Sequence, residues 1–152
     1  MKELLELAKC ITERNPEIIF GGSFALKLIG INLEREPKDL DIFLPPNCQF
    51  LPIEGMKECM PHSIAFHYGL VYMDNYEERY ITSYVYFASV DKYERNEGVY
   101  IDIFRTSEND ISFKLQNFIK LQDFTMFHPL EILRYKMNML ISDLSNPYSS
   151  PS

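Results

Sequence analysis

Three aspartates lie in two short segments of the sequence that have the pattern of β-strands. Asp39 and Asp41 belong to "DLDIFL", and Asp102 belongs to "VYIDIF". Strands seldom contain aspartate, because its short polar side chain competes for backbone hydrogen bonds. Side chains alternate along a strand, so the aspartates should point away from the neighbouring leucine and isoleucines. If the two strands are neighbours in one sheet, the three carboxylates converge on one face.

Carboxylates that are held close together repel one another unless protons or cations lie between them. Hard divalent ions such as Mg²⁺ or Mn²⁺ prefer ligand sets made of oxygen atoms. The pattern therefore predicts a site for one or two divalent ions, with Asp39, Asp41 and Asp102 as ligands. The residues alone leave one alternative open, in which two half-buried strands carry outward-facing aspartates that have no chemical role.

A glycine-rich turn precedes the first aspartate pair in "FGGSFALKLIG". Gly21 and Gly22 would let a polyphosphate approach the backbone, and the free amides at the start of a helix attract its oxygens. Ser23 is a predicted N-cap that could add its hydroxyl group. The segment is neither a P-loop nor a dinucleotide fingerprint. A simple capped turn between a strand and a helix is the alternative interpretation.

The elements predicted to position these residues are helices and strands of one domain. A first helix should end at Asn15-Pro16, and the strand "EIIF" should lead through the glycine turn into a helix that stops at Gly30. Pro45-Pro46 should close the strand that holds Asp41. The apolar face of the first helix is predicted to contain Leu4, Leu5, Ala8 and Ile11.

The sequence of the second half of the chain predicts a hairpin and, near the C-terminus, a helix. "YITSYVYFASV" and "GVYIDIF" should be strands joined by "DKYERNE". Pro129 suits the first turn of the helix. We expect one domain over residues 1–144 and a disordered tail over 145–152. The apolar residues predicted to share one face of the late helix are Leu130, Leu133, Met137 and Leu140.

Composition limits the function classes. A chain of 152 residues with 46% hydrophobic residues can bury a core as one domain. The net charge of −7 argues against a broad nucleic-acid-binding face, although contact with an RNA end stays possible. No apolar run is long enough to cross a membrane, and the three cysteines form no CxxC pair. We therefore expect a cytoplasmic protein with reduced thiols and no membrane partner.

The segments "GGSFAL", "PKDLDIF" and "VYIDIF" together resemble the polymerase-beta-like nucleotidyltransferase superfamily in order and residue type. The likeness is greatest to small prokaryotic and phage members similar to the abortive-infection toxin nucleotidyltransferases. In those proteins an arginine often precedes the Asp-x-Asp strand and a later helix carries a lysine. Arg35 and Lys136 match these two features. The resemblance covers most of the first 44 residues and two later segments, and it does not cover residues 47–90.

The resemblance implies an α+β nucleotidyltransferase-like fold, in which helices pack on a mixed β-sheet. It also implies transfer of a nucleotide from an NTP to an acceptor hydroxyl, assisted by two Mg²⁺ or Mn²⁺ ions. Asp39 and Asp41 would hold one ion, and Asp41 with Asp102 would hold the other. The phosphates would contact Gly21, Gly22 and Ser23. The negative charge would be offset by basic residues, of which Lys136 is the first candidate, followed by Arg35 and Lys38.

Two other functions stay open. Related toxin-like members have a further Lys-Asp or Arg-x-Asp segment after the lysine helix, whereas this sequence ends in "ISDLSNPYSSPS". The chain could therefore be part of a longer protein, a minimal form that needs a partner, or a catalytically inactive module that binds a nucleotide or a partner on the same fold. A metal-dependent nuclease built on the three aspartates is a further alternative, against which the Gly-Gly-Ser turn argues. The sequence names neither the NTP nor the acceptor.

Overall fold

The computed structural model describes residues 1–59, 62–66, 77–105, 118–133 and 136–137. This part of the chain is α+β, as predicted. The helices are α1 (Lys2–Arg14), α2 (Gly22–Ile29), α3 (Val90–Glu94) and α4, whose described residues are 129–133 and 136–137. The strands are β1 (Ile19–Gly21), β2 (Leu40–Leu44), β3 (Met56–Glu58), β4 (His62–Phe66), β5 (Glu77–Tyr86), β6 (Val99–Arg105), β7 (Phe118–Leu121) and β8 (Phe124–Phe127).

The eight described strands form one mixed sheet in the order β3-β5-β6-β2-β1-β8-β7, and β4 pairs with the first half of β5. The pairs β2–β6 and β1–β8 are parallel, and the other pairs are antiparallel. The predicted antiparallel pairing of β5 with β6 is confirmed. Their connection contains the short helix α3. Because β2 and β6 are adjacent, the two segments that contain aspartates are neighbours in the sheet.

Helix α1 packs one apolar face into the core and ends where the sequence predicts. Its C-cap is Asn15, which is only 6% exposed. The Asn15 side chain exchanges two hydrogen bonds with the backbone of Leu51, both 2.8 Å long, and so ties the helix end to the segment after β2. A buried amide needs such partners, because an unpaired one is costly. The buried residues of α1 are Leu4, Leu7, Ala8 and Ile11, whereas Leu5 is only partly buried.

Helix α2 connects β1 with β2 and begins earlier than the sequence predicts. Its N-cap is Gly21, and no side chain caps it, so the predicted capping role of Ser23 is wrong. Gly21 already has the extended backbone that an N-cap requires, which places Ser23 inside the first turn. The helix ends at Gly30 with a left-handed φ of 105°, as predicted. Phe24 packs edge-on against Phe20, with 5.3 Å between ring centroids.

Helix α4 begins at Pro129, as predicted, and the Leu130 backbone N–H donates a 3.1 Å hydrogen bond to Nδ1 of His128. The predicted apolar stripe, however, is not the buried face. Among the described residues of this helix, the buried ones are Glu131 and Ile132, each 3% exposed. Leu140 and the predicted tail, residues 145–152, lie outside the described residues. Three residues of the stripe are at least 42% exposed: Leu130, Leu133 and Met137.

No helix within the described ranges is long and apolar enough to span a membrane. The cytoplasmic location remains a prediction from the sequence.

Candidate active site

Asp41 and Asp102 lie side by side in the centre of the sheet. The parallel register of β2 and β6 pairs Asp41 with Asp102, and neighbouring strands are about 4.8 Å apart. Leu40, Ile42 and Ile101 are fully buried on the other face of the sheet. The prediction that Asp41 and Asp102 share the face opposite these residues is confirmed. Two carboxylates from distant parts of the sequence thus become direct neighbours.

Asp39 lies just before β2 and is exposed. Its Oδ1 accepts a 3.1 Å hydrogen bond from the backbone N–H of Tyr100, which belongs to β6. Asp39 is close enough to Asp41 to raise the pKa of the Asp41 carboxyl. Within the described ranges, however, no group of three or more histidine, cysteine, aspartate or glutamate side chains is arranged to hold a metal ion. The three aspartates therefore lie near one another without forming a closed ligand cage.

The Asp41 carboxyl group is in an unfavourable electrostatic environment. Burial, followed by the negative charges of Asp102 and Asp39, raises its pKa from the ordinary 3.8 to about 6, and Lys136 acts in the opposite direction. A raised pKa means that the surroundings disfavour the ionised carboxylate. A divalent cation between Asp41 and Asp102 would relieve the same repulsion that a proton relieves. The chemistry of this donor pair therefore fits a hard metal ion.

Gly22 leaves the space that the Asp41 carboxyl group occupies. A Cβ atom at position 22 would overlap Oδ2 of Asp41, and the φ of Gly22 is +64°, a value that other residues rarely adopt. Gly21 pairs with Asp41 across β1 and β2, and a Cβ at Gly21 would lie 2.7 Å from the ring of Phe43. Both glycines of the predicted turn are thus required by close packing at the candidate site.

The start of α2 adjoins the aspartates through Gly22. The first amides of any α-helix have no partner within the helix. Ser23 is half-buried in the first turn, and its hydroxyl has no hydrogen bond within the described part of the chain. The turn therefore offers backbone and hydroxyl donors beside a pair of carboxylates.

The three basic residues predicted for this site differ in their relation to it. Lys136, on α4, is exposed and lowers the pKa of Asp41, so its positive charge acts on the carboxyl group. Arg35 and Lys38 lie in the loop between α2 and β2 and are exposed. Neither is among the groups that shift the pKa of Asp41, and neither forms an ion pair with a described residue. Of the three predicted basic residues, Lys136 is thus the one whose charge acts on Asp41.

Aromatic side chains border the aspartates on the same face of the sheet. Phe43 and Phe104 follow Asp41 and Asp102 by two residues, and their rings stack with centroids 4.7 Å apart. Phe127 packs edge-on against Phe43 at 4.8 Å. Tyr100 lies on the other side of Asp102 and is 50% exposed. The carboxylates therefore lie between a buried aromatic cluster and an exposed edge, and the cluster limits access of water from one side.

Ser83, which lies opposite Asp102 on β5, was not predicted from the sequence. Its Oγ donates a 2.7 Å hydrogen bond to Oδ1 of Asp102, and the residue is 3% exposed. The predicted hairpin of β5 and β6 indicated that some residue of "YITSYVYF" would face Asp102. The register, which selects Ser83, could not be read from the sequence because the connection between the strands is long and contains a helix.

Comparisons of the chain with protein-family models, with curated proteins and with solved structures found no match.

Proposed function

We propose that the chain is a metal-dependent nucleotidyltransferase with a nucleotidyltransferase-like fold, which transfers a nucleoside monophosphate from an NTP to an acceptor hydroxyl. One observation carries the proposal: Asp41 and Asp102 are paired in register on adjacent strands, and the Asp41 carboxyl lies against Gly22 at the start of a helix. Carboxylates for cations and helix amides for phosphates thus adjoin one another, and a nucleoside triphosphate bound with divalent cations needs both.

The aspartates would hold Mg²⁺ or Mn²⁺. Asp39 and Asp41 are the proposed ligands of one ion, and Asp41 with Asp102 those of a second. Asp39 would exchange its hydrogen bond to the Tyr100 amide for the cation. When bound, such ions stabilise the negative charge on the entering and leaving oxygens of an in-line displacement. Asp41 fits this role because its side chain is half-buried beside another carboxylate.

The turn of Gly21, Gly22 and Ser23 would bind the phosphates of the NTP. The free amides at the start of α2 and the hydroxyl of Ser23 would donate hydrogen bonds to the β and γ oxygens. Lys136 would offset the negative charge, as its effect on the Asp41 pKa indicates. Arg35 and Lys38 are exposed and could reach the triphosphate only from the loop before β2.

The proposed reaction makes one bond and breaks one bond. The acceptor oxygen attacks the α-phosphorus, and the bond from that phosphorus to the oxygen bridging it to the β-phosphate breaks. Pyrophosphate leaves with the bonding electrons, and the hydroxyl proton passes to solvent. In this step the residues of the chain hold the triphosphate and the attacking oxygen in line, which is the main contribution that a protein makes to phosphoryl transfer.

A module that binds nucleotides without transferring them is the second candidate. It is favoured by the hydrogen bond between the Tyr100 amide and Asp39, because a carboxylate held by that amide does not bind the same metal ion as Asp41 and Asp102. Such a protein would bind an NTP with a divalent ion and release no pyrophosphate. Binding and turnover therefore separate the two functions.

The test is incubation of the protein with each α-labelled NTP, Mg²⁺ or Mn²⁺, and candidate acceptors that include small alcohols, proteins and RNA ends. We expect pyrophosphate release and a labelled acceptor from the wild-type protein and neither from Asp41→Asn. Asp123→Asn is the matched control, because Asp123 is an exposed aspartate in the turn between β7 and β8, at the opposite end of β8 from Phe127. Equal activity of both variants would contradict the proposal.

A further inference from the structure

Ser83 makes an unusual contact for a strand serine. It is one of three polar residues among the described ones that are less than 9% exposed, the others being Asn15 and Glu131. Its hydroxyl is 2.7 Å from Oδ1 of Asp102, in the short range of hydrogen bonds to charged oxygens. The two residues are directly opposed in the antiparallel pair of β5 and β6. The contact therefore depends on the sheet rather than on a loop.

The hydrogen bond is directional. A hydroxyl has a single proton to donate, and Ser83 directs that proton to one of the two Asp102 oxygens. The other oxygen, Oδ2, has no hydrogen bond within the described part of the chain. Asp102 also has Asp41 as its neighbour in register on β2. Ser83 thus holds the Asp102 carboxylate from the β5 side, while the like-charged Asp41 lies beside Asp102 on the β2 side.

We propose that Ser83 is a positioning residue that fixes the Asp102 carboxylate so that Oδ2 is available to a divalent cation shared with Asp41. This role rests on the proposed function, because it assigns a task to Asp102 as a ligand. Without the hydroxyl, repulsion by Asp41 would favour side-chain rotamers of Asp102 that turn the carboxylate away. Part of the binding free energy of the cation would then be used to restore the rotamer, so the cation would bind more weakly. Groups that orient metal ligands in this way change metal affinity by about 10- to 100-fold when they are removed.

A purely structural role for Ser83 makes a different prediction. In that case the Asp102 carboxylate only satisfies a buried hydroxyl, and Ser83→Ala would alter the melting temperature without altering metal affinity. Metal affinity therefore separates the two roles, whereas stability does not. Mn²⁺ alone is a suitable probe because its free concentration is measured directly by electron paramagnetic resonance, with no NTP or acceptor present.

The experiment titrates Mn²⁺ into the full chain as wild type, Ser83→Ala, Ser83→Thr and Thr82→Val. We expect Ser83→Ala to bind Mn²⁺ about 10- to 100-fold more weakly and Ser83→Thr, which keeps the hydroxyl, to restore most of the affinity. Thr82→Val is the matched control, because it removes a hydroxyl one residue away on the opposite face of β5. Its affinity should equal that of the wild type.

The outcomes distinguish this inference from the proposed function. If the wild type binds Mn²⁺ and Ser83→Ala binds it with the same affinity, the role of Ser83 is overturned and the metal site remains. Equal losses in Ser83→Ala and Ser83→Thr would also overturn it, because the hydroxyl would then not be the cause. A wild type that binds no Mn²⁺ at millimolar concentration would overturn both. If Ser83→Ala melts below the titration temperature, Ser83→Cys replaces it, since a thiol is a weak donor and should lower the affinity as well.

Discussion

Gly22 lies beside the carboxyl group of Asp41, so that a Cβ at position 22 would collide with Oδ2. This relationship joins the glycine turn to the aspartate pair physically, although the two are 19 positions apart in the sequence. Position 22 requires glycine for two reasons: the backbone is left-handed, and there is no space for a Cβ atom. Substitutions at Gly22 and at another left-handed glycine can separate the two effects.

Gly22→Ala should both destabilise the protein and abolish Mn²⁺ binding. The left-handed backbone alone costs about 1–2 kcal/mol for alanine, and the collision with Asp41 adds to this loss and displaces the carboxyl group. Gly30→Ala is the control, since Gly30 has a φ of +105° and, apart from its chain neighbours and the backbone of its own helix, no atom of the described residues lies within 4 Å of the position of a Cβ. It should lose stability but bind Mn²⁺ as the wild type does. Equal Mn²⁺ affinities of the two variants in titrations would contradict the assigned contact.

Asp41→Asn should stabilise the metal-free protein at neutral pH. The pKa of Asp41 is raised from 3.8 to about 6, so between these pH values the folded protein binds more protons than the unfolded chain. Stability therefore falls as pH rises through this range, and above it the ionised carboxylate costs about 3 kcal/mol. Asparagine has no such charge, and the difference between the variant and the wild type should disappear below about pH 3.8.

Urea unfolding in chelator from pH 3.5 to 8 measures this difference between the two proteins. Asp123→Asn, which changes an exposed aspartate, should differ from the wild type by less than about 0.5 kcal/mol throughout. A large loss of stability for Asp41→Asn at pH 7 would mean that Asp41 is a hydrogen-bonding structural residue instead.

NTP together with Mg²⁺ should raise the melting temperature of the wild-type protein. A ligand at 100 times its dissociation constant stabilises the folded state by about 2.7 kcal/mol, which corresponds to roughly 5–10 °C for a chain of this size. Differential scanning fluorimetry with each NTP checks the shift and ranks the four bases. Asp41→Asn should show little of this increase in melting temperature. No shift at millimolar nucleotide, for a protein shown to be folded, would count against transfer and against nucleotide binding alike.

Lys136→Gln should raise the KM for NTP about tenfold, the change that corresponds to loss of about 1.4 kcal/mol of binding energy from one charged contact. The reason is that Lys136 is the basic residue whose charge acts on Asp41. Lys120→Gln, an exposed lysine on β7, is the control. In steady-state kinetics on the same preparations, the KM values of Arg35→Gln and Lys38→Gln should lie between those of Lys136→Gln and Lys120→Gln. A larger effect of Arg35→Gln than of Lys136→Gln would contradict this order.

The part of the site that the sequence predicted is the part encoded by local signals. Alternation of apolar and acidic residues gave the faces of Asp41 and Asp102, and Gly30 and Pro45 marked the ends of α2 and β2. The N-cap at Ser23 was wrong because Gly21 has the extended backbone of an N-cap, and Gly22 begins the helix with a left-handed φ of +64° that other residues rarely adopt. Local patterns define the ends of elements only to within one or two residues when glycines adjoin.

The features that the sequence did not predict either lack a local signal or depend on tertiary contacts. The hairpin of β7 and β8 turns at Gln122-Asp123, with Gln122 at a φ of +55°, and lacks the Asn-Gly or Asp-Gly pair that usually marks such turns. In α4, Ile132 rather than the stripe of Leu130, Leu133 and Met137 packs into the core. Helical periodicity shows which residues share a face, but the neighbouring elements decide which face is covered.

The parallel register of β2 and β6 also has a consequence for folding. Asp41 and Asp102 meet only after strands separated by more than 50 residues have paired, and such non-local parallel pairing forms slowly. A slip of one residue would turn Asp102 into the core and expose Ile101 and Ile103, both fully buried in the native sheet. The apolar residues of β6 therefore oppose misalignment of the carboxylates, so that a chain with a buried core also has its two aspartates in register.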